Sequence, residues 1–138
     1  MKRVMCFGTF DVLHEGHRFY LTGARKLGDY LVVVVARDET VKEVKKQPPL
    51  HDEAVRVRSL QQLGIADKVI LGNSGDKLKV VVDEQPDIIC LGYDQTFFTE
   101  KIKEKLQQRG LNVQVMRLPA YKPEVYKSSI IKKRISSS

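Results

Sequence analysis

Two histidines, His14 and His17, flank Gly16 in the run Gly8-Thr9-Phe10-Asp11-Val12-Leu13-His14-Glu15-Gly16-His17. An imidazole donates hydrogen bonds at neutral pH and gains a proton readily, so a pair facing one pocket suits phosphoryl chemistry. There the protein's task is to position the reacting groups and offset the charge building on a phosphate and its leaving group. Gly8 lets backbone approach a ligand closely, Thr9 and Asp11 offer polar groups, and Gly16 leaves room between the imidazoles. Either histidine also has an ordinary alternative, capping a helix or hydrogen-bonding in the core. The spacing His-x-Gly-His directly after a Gly-Thr-Phe-Asp strand end favours the pocket.

A pair so placed needs a strand that ends and a helix that begins beside it. Apolar runs rich in β-branched residues recur at 4–7, 31–36, 69–71, 88–91 and 113–116, with helix-length segments between them. Runs apolar on both faces indicate a doubly wound α/β fold, a Rossmann-like five-stranded parallel sheet with helices on each side. In such sheets ligands bind beyond the carboxyl ends of the strands, where helix N-termini present free N–H groups.

Helices are predicted over 16–27, stopped by Gly28 in a left-handed conformation, over 52–63, opened by Asp52 and closed at Gly64, and over 76–84, ended by Pro86. Two more are predicted, over 99–109 with Thr99 as cap and Gly110 as stop, and over 128–134. Residues 38–50, with Lys42, Lys45, Lys46 and the stiff pair Pro48-Pro49, read as a mobile lid.

The chain has 138 residues and a formal charge of +7, which fits one domain, 1–138, able to build its own core. No apolar run is long enough to cross a bilayer, and the first residues read as a strand, so the expectation is a cytoplasmic protein without membrane partners. Cys6 and Cys90 sit in apolar strands and read as structural thiols, and no protein-held metal site is expected. Solvated lysines on helix faces account for most of the charge. Basic residues are not interleaved with exposed aromatics, which argues against nucleic acid as a partner.

The run from Gly8 to His17 resembles the signature of the cytidylyltransferase-like nucleotidyltransferases. Ala36-Arg37-Asp38-Glu39, the lysines at 42–46, Arg56 and Leu91-Gly92-Tyr93-Asp94-Gln95 fall where that family places binding groups. The resemblance implies direct attack of an acceptor's phosphate on the α-phosphorus of a nucleotide, with Mg²⁺ on the phosphates. His14 and His17 would stabilise the transition state, and Lys45 or Lys46 would reach the phosphates unless the lysines are simply a solvated loop. Gly8, Thr9, Phe10, Gly16, Gly92 and Asp94 would line the nucleotide site, Asp94 having the alternative of capping the next helix. Asp11, Asp38 and Arg56 would hold the acceptor, Arg56 having the alternative of pairing with Asp52 at i,i+4.

Near the C-terminus the family places an arginine-led, hydroxyl-rich phosphate motif. This chain offers Lys122-Pro123-Glu124-Val125-Tyr126-Lys127-Ser128-Ser129. Lys122 and Lys127 replace an arginine and a hydroxyl, while Ser128 and Ser129 keep the pattern. Together with Gly92-Tyr93-Asp94-Gln95, this is closer to archaeal-type FAD synthases, which implies ATP and FMN as substrates. Phe10, Phe97, Phe98, Tyr121 and Tyr126 are then candidates for the flavin ring. CTP with glycerol 3-phosphate or a similar polyol phosphate is the alternative, a nucleotide-binding protein without turnover is another, and a homodimer is expected.

Overall fold

The computed structural model describes residues 2–73, 78–91 and 102–117. The elements run β1 (Arg3–Gly8), α1 (Glu15–Arg25), β2 (Tyr30–Val35), α2 (Asp38–Lys45), α3 (Glu53–Leu63), β3 (Lys68–Leu71), α4 (Lys79–Glu84), β4 (Ile88–Leu91), α5 (Ile102–Gln108) and β5 (Gln114–Arg117). All five strands are parallel, in the order β3-β2-β1-β4-β5. This is the doubly wound sheet the alternation of runs predicts. Its order reverses beside β1, so the crevice at the carboxyl ends of β1 and β4 is where a ligand has room to enter.

Successive residues of each inner strand serve opposite cores. Val4 and Cys6 point into one with Leu21, Ala24 and Leu60, under α1 and α3. Met5 and Phe7 point into the other with Val80, Val81, Ile102 and Leu106, under α4 and α5. Arg3, Val4, Met5, Cys6, Phe7 and Gly8 pair in register with Tyr30, Leu31, Val32, Val33, Val34 and Val35. With apolar residues on both faces, a slip by one position would only exchange one core for the other, so the helices around the sheet must fix the register.

Three local predictions need revision. Residues 38–45 form a helix, not a lid loop, and that helix borrows its start: Arg37 supplies no side-chain cap, and the Asp38 N–H donates instead to the Glu53 carboxylate of α3 at 2.9 Å. Gly28 is not a left-handed stop. α1 ends at Arg25 with Lys26 still right-handed, and Gly28 is needed because a Cβ there would lie 2.7 Å from the Lys2 carbonyl oxygen and 2.8 Å from Val4 Cγ2. α4 closes on Gln85, left-handed at φ 49°, one residue before Pro86. By contrast α3 follows the prediction, with Asp52 accepting from the Val55 N–H and Gly64 left-handed at φ 77°. The Thr99 cap and the closing helix over 128–134 lie outside the described residues.

Candidate active site

β1 delivers its last residue, Gly8, to the crevice, and the chain then turns sharply. Phe10 takes φ 53°, a left-handed conformation that costs a side-chain-bearing residue roughly 1–3 kcal/mol. What it gains is a buried ring. Phe10 is 3% exposed, lies edge-on to His17 at 5.3 Å and stacks on Tyr20 at 6.4 Å between centroids. The ring also covers Gly8, where a Cβ would come within 2.7 Å of it. The freedom of Gly8 therefore makes space for Phe10, and Phe10 is interior packing here, not an open surface for a flavin.

His14 is the N-cap of α1. Its Nδ1 accepts the Gly16 N–H at 3.0 Å, and its carbonyl accepts from His17 and Arg18. The ordinary role weighed for a histidine here, helix capping, is thus filled by the same residue that meets the second imidazole: the His14 and His17 ring centroids are 4.0 Å apart, tilted by 32°. Capping settles the tautomer. With Nδ1 accepting, the neutral ring carries its proton on Nε2, so the Gly16 N–H polarises a donor one ring further out. Partial burial lowers the His14 pKa below 6.5, with neighbouring Glu15 opposing the shift, so the neutral donor form prevails at physiological pH.

The three residues predicted to hold an acceptor are built into the floor. Asp11 is 4% exposed, and its two carboxylate oxygens accept the N–H groups of Leu50 at 2.7 Å and His51 at 2.8 Å. Arg56 donates to the Thr9 carbonyl at 2.9 Å, the His51 carbonyl at 3.0 Å and Asp38 Oδ1 at 2.7 Å. Its side chain is 0% exposed, so Arg56 is neither an open acceptor contact nor the partner of Asp52, whose carboxylate caps α3 instead. Asp38, with its side chain 40% exposed, is the member of the three that still reaches solvent. Lys46 ends α2 in a left-handed conformation at φ 64° and is exposed, directly after Lys45 in the last turn.

Two residues that the sequence reading passed over hold this arrangement. The Tyr20 hydroxyl, carried on α1 one turn beyond His17, donates to the Cys90 carbonyl at 2.8 Å and approaches the Phe7 carbonyl at 3.4 Å. It thereby clasps β1 to β4 below the crevice, and burial raises its pKa well above the usual phenol range. Glu53 caps α2 and also pairs with Arg37. Gly92, Asp94, Phe97, Phe98, Tyr121, Lys122, Tyr126, Lys127, Ser128 and Ser129 lie outside the described residues.

The paired histidines stand at a strand–helix junction beyond the carboxyl edge of the sheet, and the chain that builds it is similar to known proteins. Residues 5–134 match the model of the family described as cytidylyltransferase-like. The chain is 44% identical over 135 residues to the FAD synthase of Thermoplasma volcanium and 45% identical over 135 residues to that of Thermoplasma acidophilum, covering 98% of this chain and 94% of each relative. A crystal structure titled lipopolysaccharide core biosynthesis protein, from Thermoplasma volcanium, superposes with a TM-score of 0.84 at 44% identity, covering 88% of this chain and 99% of that one. With the paired histidines at the sheet's reversal point, these matches make the chain a member of the cytidylyltransferase-like family, and a nucleotidyltransferase.

Proposed function

We propose that this enzyme transfers AMP from ATP to FMN, forming FAD and releasing pyrophosphate. The observation that carries the choice of substrates is the near full-length similarity, at 44% and 45% identity, to FAD synthases. In the reaction an oxygen of the FMN phosphate attacks the α-phosphorus of ATP, a new P–O–P bond forms, and the bond to the β-phosphate oxygen breaks with its electron pair leaving on pyrophosphate. The Nε2–H of His14 and the imidazole of His17 stand at the head of α1 to donate to the α-phosphate and the departing oxygen as charge builds there.

Lys45 or Lys46 reaches the β- and γ-phosphates from the end of α2 as a point charge. Thr9 and Gly16 give the nucleotide a close backbone wall, Gly8 seats the Phe10 ring behind it, and Gly92, Asp94, Lys122, Lys127, Ser128 and Ser129 complete its site. Asp38 is the acceptor-side contact, while Asp11 and Arg56 act from below. Mg²⁺ would supply charge neutralisation on the triphosphate. Among the described residues no group of three or more His, Cys, Asp or Glu side chains is placed to hold an ion.

The test is pyrophosphate release in a matrix of ATP and CTP against FMN, glycerol 3-phosphate and phosphocholine, with Mg²⁺ and with His17→Ala protein as the blank. Turnover of ATP with FMN, absent from His17→Ala, is the expected result. Turnover with CTP alone would sink the flavin reading and leave the family unaffected. A homodimer working in the cytoplasm is part of the same proposal, and light scattering of the purified chain checks its mass.

A further inference from the structure

We infer that Arg56 is a positioning residue for nucleotidyl transfer: without touching substrate, it bolts the histidine-bearing turn to the segment that follows the lysines of α2. The inference rests on the reading of His14 and His17 as the groups that meet the phosphates.

Arg56 lies on the core-facing side of α3, one turn before Leu60, and both are buried. If the position served packing alone, an apolar side chain would do as well or better, because a buried guanidinium must recover its desolvation through its partners. What the guanidinium adds is direction. Its planar fork sends three donors at fixed angles to three separate segments: the Thr9 carbonyl after β1, the His51 carbonyl before α3, and Asp38 in the first turn of α2.

Asp11 grips the same joint from the other side. It accepts the N–H of His51 whose carbonyl Arg56 holds, and the N–H of Leu50 as well. The main chain of His51 is thus fixed at both its donor and its acceptor. The two anchors, Thr9 and Asp11, are two residues apart in the turn that leads to His14. In the other direction, residues 47–49 are all that separate the joint from Lys46, at the end of α2. Both sets of charge-stabilising groups therefore hang from one connection held by two buried side chains, Asp11 and Arg56.

The variants Arg56→Met and Arg56→Lys in the full chain test this, with the pair of substrates the wild type turns over. Met fills the space without the fork, and Lys keeps the charge but reaches one acceptor. We expect kcat to fall at least about 100-fold in Arg56→Met and at least about tenfold in Arg56→Lys, with KM for both substrates within about threefold, the signature of lost transition-state stabilisation. Asp11→Asn combined with Arg56→Met should lose no more activity than the worse single variant, since both act through His51.

Glu84→Gln is the control. It breaks the cluster of Glu84 with Arg3 and Lys68 at the opposite end of the sheet, and should lower Tm while leaving kcat unchanged. Hydrogen exchange reads the joint without any turnover: peptides covering 8–17 and 47–52 should lose protection together in Arg56→Met, while α4 keeps its own. Unchanged protection would overturn the inference whatever the substrates prove to be. So would full kcat in a folded Arg56→Met, a loss equal to its unfolded fraction, or a rise confined to the acceptor's KM. A wild type silent with ATP and FMN but protected as described would instead count against the proposed substrates alone.

Discussion

His14 does two things with one ring, and they can be separated. Its Nδ1 caps α1, which leaves Nε2 as the proton-bearing nitrogen. Asparagine caps helices about as well as any residue, so His14→Asn should keep stability within about 1 kcal/mol, while activity falls roughly 100- to 1000-fold from loss of the Nε2–H donor. The same substitution isolates a pH effect. Because burial lowers the folded pKa below 6.5, the unfolded chain takes up the proton first on acidification. The stabilising contribution of neutral His14 is therefore complete above 6.5 and is lost as pH falls through its folded pKa. Melting temperatures at pH 7.5 and pH 5, as assay conditions of about that spacing, should fall further for wild type than for His14→Asn. Equal falls would show that His14 does not titrate as described.

Among the elements, the turn after β1 is the most constrained. Gly8→Ala would place a methyl 2.7 Å and 2.8 Å from two carbons of the Phe10 ring, which is buried and held against His17 and Tyr20. The expected cost is about 1–3 kcal/mol, with activity falling as His17 is pushed. Adding Phe10→Leu should recover part of the stability, and denaturant titration of the single and double variants checks it. What the sequence made legible at this scale was local. Ile88–Leu91 reads as a buried strand and is one, and Asp52 and Gly64 bracket α3 because cap and stop lie beside the helix they serve. The start of α2 was not legible because its cap comes from Glu53, in the next helix along the chain. Gly28 misled because left-handed backbone and close approach to another chain segment both select glycine. Asp11 and Arg56, expected to hold an acceptor, are buried and hydrogen-bonded within the protein, which the sequence did not show because burial of a charge is decided by tertiary packing. The one available hint was that Arg56 shares α3's core stripe with Leu60.

At the scale of the molecule, the parallel sheet and its two helical layers were legible from the rhythm of apolar runs, and the structure added the strand order, with its reversal beside β1. The expected role of the cysteines leads to a further prediction. Cys6 and Cys90 are register partners on β1 and β4, both fully buried, with burial raising both thiols and placing that of Cys90 at about 12. Neither is a usable thiolate in the native state, so a thiol-specific reagent should label them only as fast as the sheet opens, and both together. Saturating ATP should slow that labelling in proportion to the stability it adds. Rapid labelling of one cysteine in native protein would contradict the arrangement.

The clasp made by Tyr20 bears on how such an enzyme can change over generations. Its hydroxyl holds the main-chain carbonyls of Phe7 and Cys90, which no substitution removes, and also bonds the Cys6 side chain. Replacing it by phenylalanine should cost about 1–3 kcal/mol, because buried carbonyls lose a donor. Substitution on β1 or β4 away from Cys6 keeps both carbonyls in place. Loops on the two sides of the crevice are thereby free to diverge separately, and a lineage can acquire a new ligand on one side without rebuilding the seam that aligns both.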